Sequence, residues 1–190
     1  MLPINILPSS PQGYLSCYDV NTGKGIFGIS GNADNIPGIA VSGDNIYFIS
    51  YNLYRINNQG KKIWEKSCGI YPRVISISPD GKYIVTGTLD GTLTIFNKQG
   101  QQIKKIEYKN GIIDDIKPTE NGFVYTVDRF FYVPKNGWQN RTESVKINNQ
   151  GEISWKSITG KRPFTDMAKI AVSNNKIYIS SYDGRIRRIQ

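Results

Sequence analysis

Histidine is absent from this 190-residue chain. That removes the usual general base, the commonest metal ligand and the side chain that titrates near neutral pH. Cysteine is scarce: Cys17 and Cys68 are the only two, too few for a disulfide framework, and both are expected as unpaired, half-buried thiols. No apolar run is long enough to cross a bilayer. The uncharged first 18 residues are interrupted by Pro3, Asn5, Pro8, Pro11, Gln12 and serines. They offer neither the basic n-region nor the continuous h-region of a signal peptide, so a cytoplasmic setting is expected if Met1 is the natural start. A phosphate-binding glycine loop ending in Lys-Ser/Thr, a nucleophile elbow and a metal-spaced cysteine cluster are also missing. No catalytic residue, metal ligand or cofactor is therefore expected.

What is present points to β structure. Tyr, Ile, Asn and Gly are abundant, a composition that suits strands joined by tight turns. The length allows one domain over residues 1–190 with a substantial core. The formal net charge is +9, which attracts polyanions weakly, but the basic residues are scattered and form no long run.

A repeat organises the chain. Ser42-Gly43-Asp44-Asn45-Ile46-Tyr47-Phe48-Ile49-Ser50 aligns without a gap on Ser78-Pro79-Asp80-Gly81-Lys82-Tyr83-Ile84-Val85-Thr86. Further copies start at Thr119 and Ser173. A second anchor follows each of the first three: Asn57-Asn58-Gln59-Gly60, Asn97-Lys98-Gln99-Gly100 and Asn148-Asn149-Gln150-Gly151. Asn21-Thr22-Gly23 is an earlier version. Asn and Gly tolerate the positive φ of tight hairpin turns. Each unit reads as four strands, A to D, with A apolar, B after the first turn, C before the glycine anchor and D after it. A period near 40 with four strands per unit is the signature of a β-propeller built from four-stranded antiparallel blades.

The stretch SPDGKYIVTGTLDGTLTIF (78–96) resembles a WD-repeat blade, although the WD dipeptide and GH signature are absent. LSCYDVNTGK (15–24) and IYFISYNLYRINNQGKKIW (46–64) are more similar to PQQ-like, quinoprotein-like blades, in which a Trp follows the turn glycine at a fixed offset. Trp64 and Trp155 each stand four residues after such a glycine, and the resemblance implies packing between blades for them. It covers about residues 14–190 and implies a fold, not a function. Strand C recurs at 14–20, 53–57, 93–97, 145–148 and 185–190, which gives about five blades. A ring of four, or part of a larger or assembled ring, is the alternative. No D strand follows the last C strand, and Leu2–Leu7 is a candidate to supply that edge.

In a propeller the D–A and B–C loops open on one face, and the resemblance implies that this face binds partners. Two of its loops depart from the repeat. Residues 128–142 read as an insertion mixing Arg129, Phe130, Phe131 and Trp138 with amides and cations; extra strand at 130–133 is the other reading. Residues 160–169 form a long charged connection. Asn140-Arg141-Thr142 matches a glycosylation sequon but is discounted in a cytoplasmic chain. At the start of strand A, Asp114 aligns with Arg73 and Asp115 with Lys169; with Asp166 they are expected around the channel mouth as a salt-bridged rim. Arg185, Arg187 and Arg188 mark the last strand as a basic edge.

The sequence thus suggests a non-catalytic scaffold docking a protein through this face. The residues expected to contact the partner are Tyr71, Arg73, Asp114, Asp115, Arg129, Phe130, Phe131, Trp138, Asp166 and Lys169. The alternatives are a basic module for nucleic acid or another polyanion, and a carbohydrate-binding or sugar-processing propeller.

Overall fold

The computed structural model describes residues 13–30, 36–162, 168–174, 176–180 and 186–189. Seventeen strands and no helix are found among them. They are β1 (Tyr14–Tyr18), β2 (Gly25–Ser30), β3 (Gly38–Ser42), β4 (Asn45–Ile49), β5 (Leu53–Asn57), β6 (Lys62–Lys66), β7 (Pro72–Ile77), β8 (Tyr83–Thr88) and β9 (Thr92–Asn97). β10 (Gln102–Glu107), β11 (Gly111–Thr119), β12 (Gly122–Val133), β13 (Gly137–Asn148), β14 (Ile153–Arg162), β15 (Lys169–Ser173), β16 (Lys176–Ser180) and β17 (Ile186–Ile189) follow. Among the described residues no helix is long and apolar enough to cross a membrane.

The strands form five antiparallel meanders in chain order: β1–β2, β3–β6, β7–β10, β11–β14 and β15–β17. The middle three have four strands each, in the order A-B-C-D read from the sequence. Inner strands stack on inner strands: β3 on β7, β7 on β11, β11 on β15. This is a β-propeller. Among the described residues the ring does not close, since the stacking of inner strands runs from β3 through β7 and β11 to β15 and does not return from β15 to β3. Leu2–Leu7 lies outside the described residues, so its suggested edge role has no structural counterpart here.

Turn chemistry explains the hairpins. The side-chain oxygen of Asn57 accepts from the N–H groups of Gln59 and Lys61 at 3.0 and 2.8 Å. Asn97 does the same for Gln99 and Gln101, and Asn148 for Gln150 and Glu152. Gly60, Gly100 and Gly151 then take φ of 79°, 80° and 80°, where a side chain would be strained. Space matters there too. A Cβ on Gly60 would sit 2.9 Å from the Phe27 ring, one on Gly100 3.2 Å from Trp64, and one on Gly151 2.7 Å from Lys104. Phe27, Trp64 and Lys104 each lie four residues after the previous anchor glycine. The glycine-plus-four side chain therefore covers the next blade's turn, and the Trp64 indole N–H also donates to the Lys98 carbonyl at 3.3 Å.

The core lies between sheets. Tyr47, Ile49 and Leu53 meet Ile75, Ile84 and Phe96 in one cluster. Leu93 and Ile95 meet Ile113, Ile116, Tyr125 and Val127 in the next. Val124 meets Ala168, Ile170 and Ile179 in the third. Leu15, Phe27 and Ile29 cover Phe48, Tyr54 and Ile56 at the start. Each such side chain contributes roughly 1.5–3 kcal/mol by leaving water.

The insertion at 128–142 is mostly not a loop. β12 and β13 pair without interruption from Gly122↔Asn148 to Val133↔Gly137, leaving a short turn at 134–136. Alternating side chains and continued cross-strand pairing carry the blade's hairpin beyond its neighbours, as the strand reading of Phe130–Val133 anticipates. Asn140, the sequon residue, is buried within it.

Candidate functional site

The end of the propeller that carries the D–A and B–C connections has two layers: a buried charged rim and an exposed apolar surface above it.

Two β-bulges make the rim. The pairing register slips between Pro72 and Val74, and again between Ile113 and Asp115. Arg73 and Asp114 are the extra residues, at the aligned positions of adjacent blades, and a bulge redirects the side chain it carries. Arg73 Nη2 lies 3.7 Å from Asp114 Oδ1. Asp114 is buried and hydrogen-bonded to Asp128, which in turn accepts from the Thr142 hydroxyl. Burial, then the charge and hydrogen bond of Asp128, push the Asp114 carboxyl up to about 8 against the opposing pull of Arg73 and Lys169. Asp115 is buried too. Its oxygens accept from the backbone N–H of Ile170 at 2.9 Å and of Ile116 at 3.0 Å, and from Lys117 Nζ at 3.2 Å. It ties β11 to β15, in the next blade.

A second charged cluster supports the long hairpin. Glu143 is wholly buried, with Lys156 Nζ 2.5 Å from one oxygen, Arg141 donating to the other, and Arg129 Nη1 at 4.0 Å. Burial raises its pKa, but the hydrogen bonds from Lys156 and Arg141 outweigh this and hold it below the usual carboxylate range. Arg129 lies 5.8 Å above the Tyr108 ring, and Arg141 5.9 Å above that of Phe131. The Tyr108 and Tyr125 hydroxyls meet at 2.5 Å beneath, and burial raises both phenols.

The surface layer comes from four separate connections. Tyr51 stands on the β4–β5 loop, Ile70 and Tyr71 on the β6–β7 loop, Leu89 on the β8–β9 loop, and Phe131, Tyr132 and Trp138 on the β12–β13 hairpin; all are exposed. Tyr132 and Trp138 meet edge to face at 5.9 Å on one face of the hairpin, while Phe131 shares the other with Arg129 and Arg141. Tyr71 is 67% exposed with φ of 55°, a left-handed conformation that is costly for an aromatic residue. Its carbonyl accepts from the Leu89 N–H at 3.0 Å, which fixes the two loops against each other.

Tyr71, Arg129, Phe131 and Trp138 thus stand where a partner can reach them, with Phe130 half-buried at the hairpin base and Lys169 exposed on β15. Asp114 and Asp115 do not: both are shielded, because the bulge and the neighbouring blade enclose them. They shape the rim rather than offer contact. Asp166 lies outside the described residues, as does Arg185. Asp128, Glu143 and Lys156 are charged participants that the repeat pattern does not announce, since each depends on a neighbour far along the chain. Tyr51, Ile70, Leu89 and Tyr132 carry no repeat signal of their own, and only the fold brings these four apolar side chains to the same end. Among the described residues no group of three or more His, Cys, Asp or Glu side chains could hold a metal ion.

No protein-family model matches the sequence, and no curated protein sequence matches it. Solved structures do. The chain is similar to the computationally designed Ika4 protein, with a TM-score of 0.64 and 12% identity over 84% of this chain and 92% of that one. It is also similar to hydrazine synthase from Kuenenia stuttgartiensis, with a TM-score of 0.67 and 16% identity over 87% of this chain and 55% of that one. At such identities the likeness shows a shared fold and nothing about activity.

Proposed function

We propose that this chain is a non-catalytic binding scaffold that docks a protein partner through the hairpin face, in a cytoplasmic setting. Kinship of its blades with WD-repeat and PQQ-like repeats is part of the same proposal. The observation behind it is the convergence of exposed Tyr51, Ile70, Tyr71, Leu89, Phe131, Tyr132 and Trp138 on one end of the propeller. Aromatic residues on a rigid support are the usual anchors of protein interfaces, and truncating one commonly costs 2 kcal/mol or more, roughly 30-fold in affinity.

The test is affinity capture with wild type against a Tyr132→Ser/Trp138→Ser double variant, both checked for an unchanged melting temperature. Loss of the same captured protein supports the reading, and undiminished capture ends it. Arg141 over the Phe131 ring, with Arg129 on the same face, favours a second reading, a single-stranded nucleic acid held by stacking and charge. A steep loss of oligonucleotide affinity with salt would mark that alternative. A carbohydrate site would combine aromatic stacking with Asp114 or Asp115, and both carboxylates are buried.

A further inference from the structure

The two ends of the open ring are bare in complementary ways. Ile39, Ile75, Ile116 and Ile170 hold the same place on the inner strands β3, β7, β11 and β15, all facing the preceding blade. Ile75, Ile116 and Ile170 are 9%, 1% and 4% exposed, whereas Ile39 is 52% exposed. The next residue on that face repeats the contrast: Val41 is 58% exposed, while Ile77, Pro118 and Val172 are half-buried. The reason is visible in the first sheet. Its two strands, β1 and β2, occupy the C and D positions and cover only the outer half of β3–β6 through Leu15, Phe27 and Ile29. Among the described residues nothing covers the inner half, where an A–B pair packs in the other blades.

At the far end lies the matching surface. Between the second and third sheets, Ala40 packs into the cluster that holds Ile75. Its counterpart on β15 is Ala171, which is exposed, flanked on the same face by exposed Lys169 and Ser173. An uncovered small residue at one end and an uncovered branched aliphatic at the other are the two halves of the contact that Ala40 makes with the Ile75 cluster; Ser76 and Lys117 hold the place of Ala40 at the next two interfaces.

We propose that a second copy of this chain supplies the missing cover. β15 and β16 of one copy take the A and B positions beside β1 and β2 of the other, so that Ile39 and Val41 close over Ala171. β1 then pairs with the outer edge of β16, and β17, a four-residue strand in the same C position, gives up that edge. Two copies with four inner strands each close a ring of eight blades, at the upper end of the common range. One two-fold axis relates the two contacts, Ile39 of each copy meeting Ala171 of the other, so the pair closes on itself.

Sedimentation velocity on the full chain tests this. Wild type is expected at the mass of two chains, and a monomer at every concentration overturns the proposal. Ile39→Glu and Ala171→Arg, at positions already exposed, should each give a folded monomer by circular dichroism. A dimer that persists in either variant refutes the assignment. Mixing the two variants restores one intact contact and should return a two-chain species at raised concentration. No recovery on mixing overturns the head-to-tail arrangement. Removing residues 186–190 should leave the dimer at least as tight, and a dimer lost on this deletion overturns the exchange of β1 for β17.

Discussion

The Asp114–Asp128 pair makes a clear prediction about stability and pH. Asp114 has an ordinary value of 3.8 and is held at about 8 in the fold. Between these values the native state carries a proton that the unfolded chain has released. Stability therefore falls as pH rises, by up to about 1.4 kcal/mol per unit, and the protonated pair's contribution is gone once pH exceeds about 8. Two coupled, relaxing carboxyls reduce that slope, so the expected loss between pH 5 and pH 8 is about 2–4 kcal/mol. For a chain of this length it corresponds to a fall in Tm of about 5–15 °C. The absence of histidine removes the usual competitor in that window. The assay is urea unfolding at half-unit pH steps, with Asp114→Asn beside wild type. The amide cannot ionise, so the variant's curve should be flat. A wild-type stability that is level or rises from pH 5 to 8, or a slope that survives in Asp114→Asn, refutes the reasoning.

Three further outcomes are expected. Gly91→Ala should destabilise by at least about 2 kcal/mol in urea, because φ is 80° there and a Cβ would meet the Tyr108 carbonyl oxygen at 2.4 Å. Cys68, buried and pushed up to about 12 by desolvation, should resist iodoacetamide at pH 8 until the chain unfolds; labelling at the rate of a free thiol would contradict its placement. Glu143→Gln should cost about 2 kcal/mol by leaving Arg129, Arg141 and Lys156 without their carboxylate, and added salt should shrink the loss because those cations are partly exposed.

The repeat was legible because its anchors are local. An Asn that accepts from N–H groups two and four residues on, followed by a glycine at positive φ, is a short-range device, and it recurs intact at Asn57, Asn97 and Asn148. The strand order followed from it. Register did not follow. The gap-free alignment of 42–50 on 78–86 places Phe48 with Ile84, yet Phe48 pairs with Ile39 while it is Thr86 that pairs with the equivalent Ile75. The turn at Gly43-Asp44 is two residues shorter, a difference that propensity alone leaves undetermined. The rim shows the same division. Arg73 and Asp114 could be aligned, but their bulges could not, and the bulge is what lets two successive carboxylates both be buried. The roles of Asp128 and Glu143 are not legible in the sequence, because a buried charge is recognised by the partners that fold against it.

The roofing of each anchor glycine by the blade before it gives the molecule a direction. Phe27 guards Gly60, Trp64 guards Gly100 and Lys104 guards Gly151, always from the earlier blade to the later. Cutting back one of these guards should loosen the hairpin downstream of it more than the turn of its own blade. Hydrogen exchange in Trp64→Ala should accordingly quicken at residues 97–101 before it does at 57–61. In a ring made of such units, loosening travels one way round.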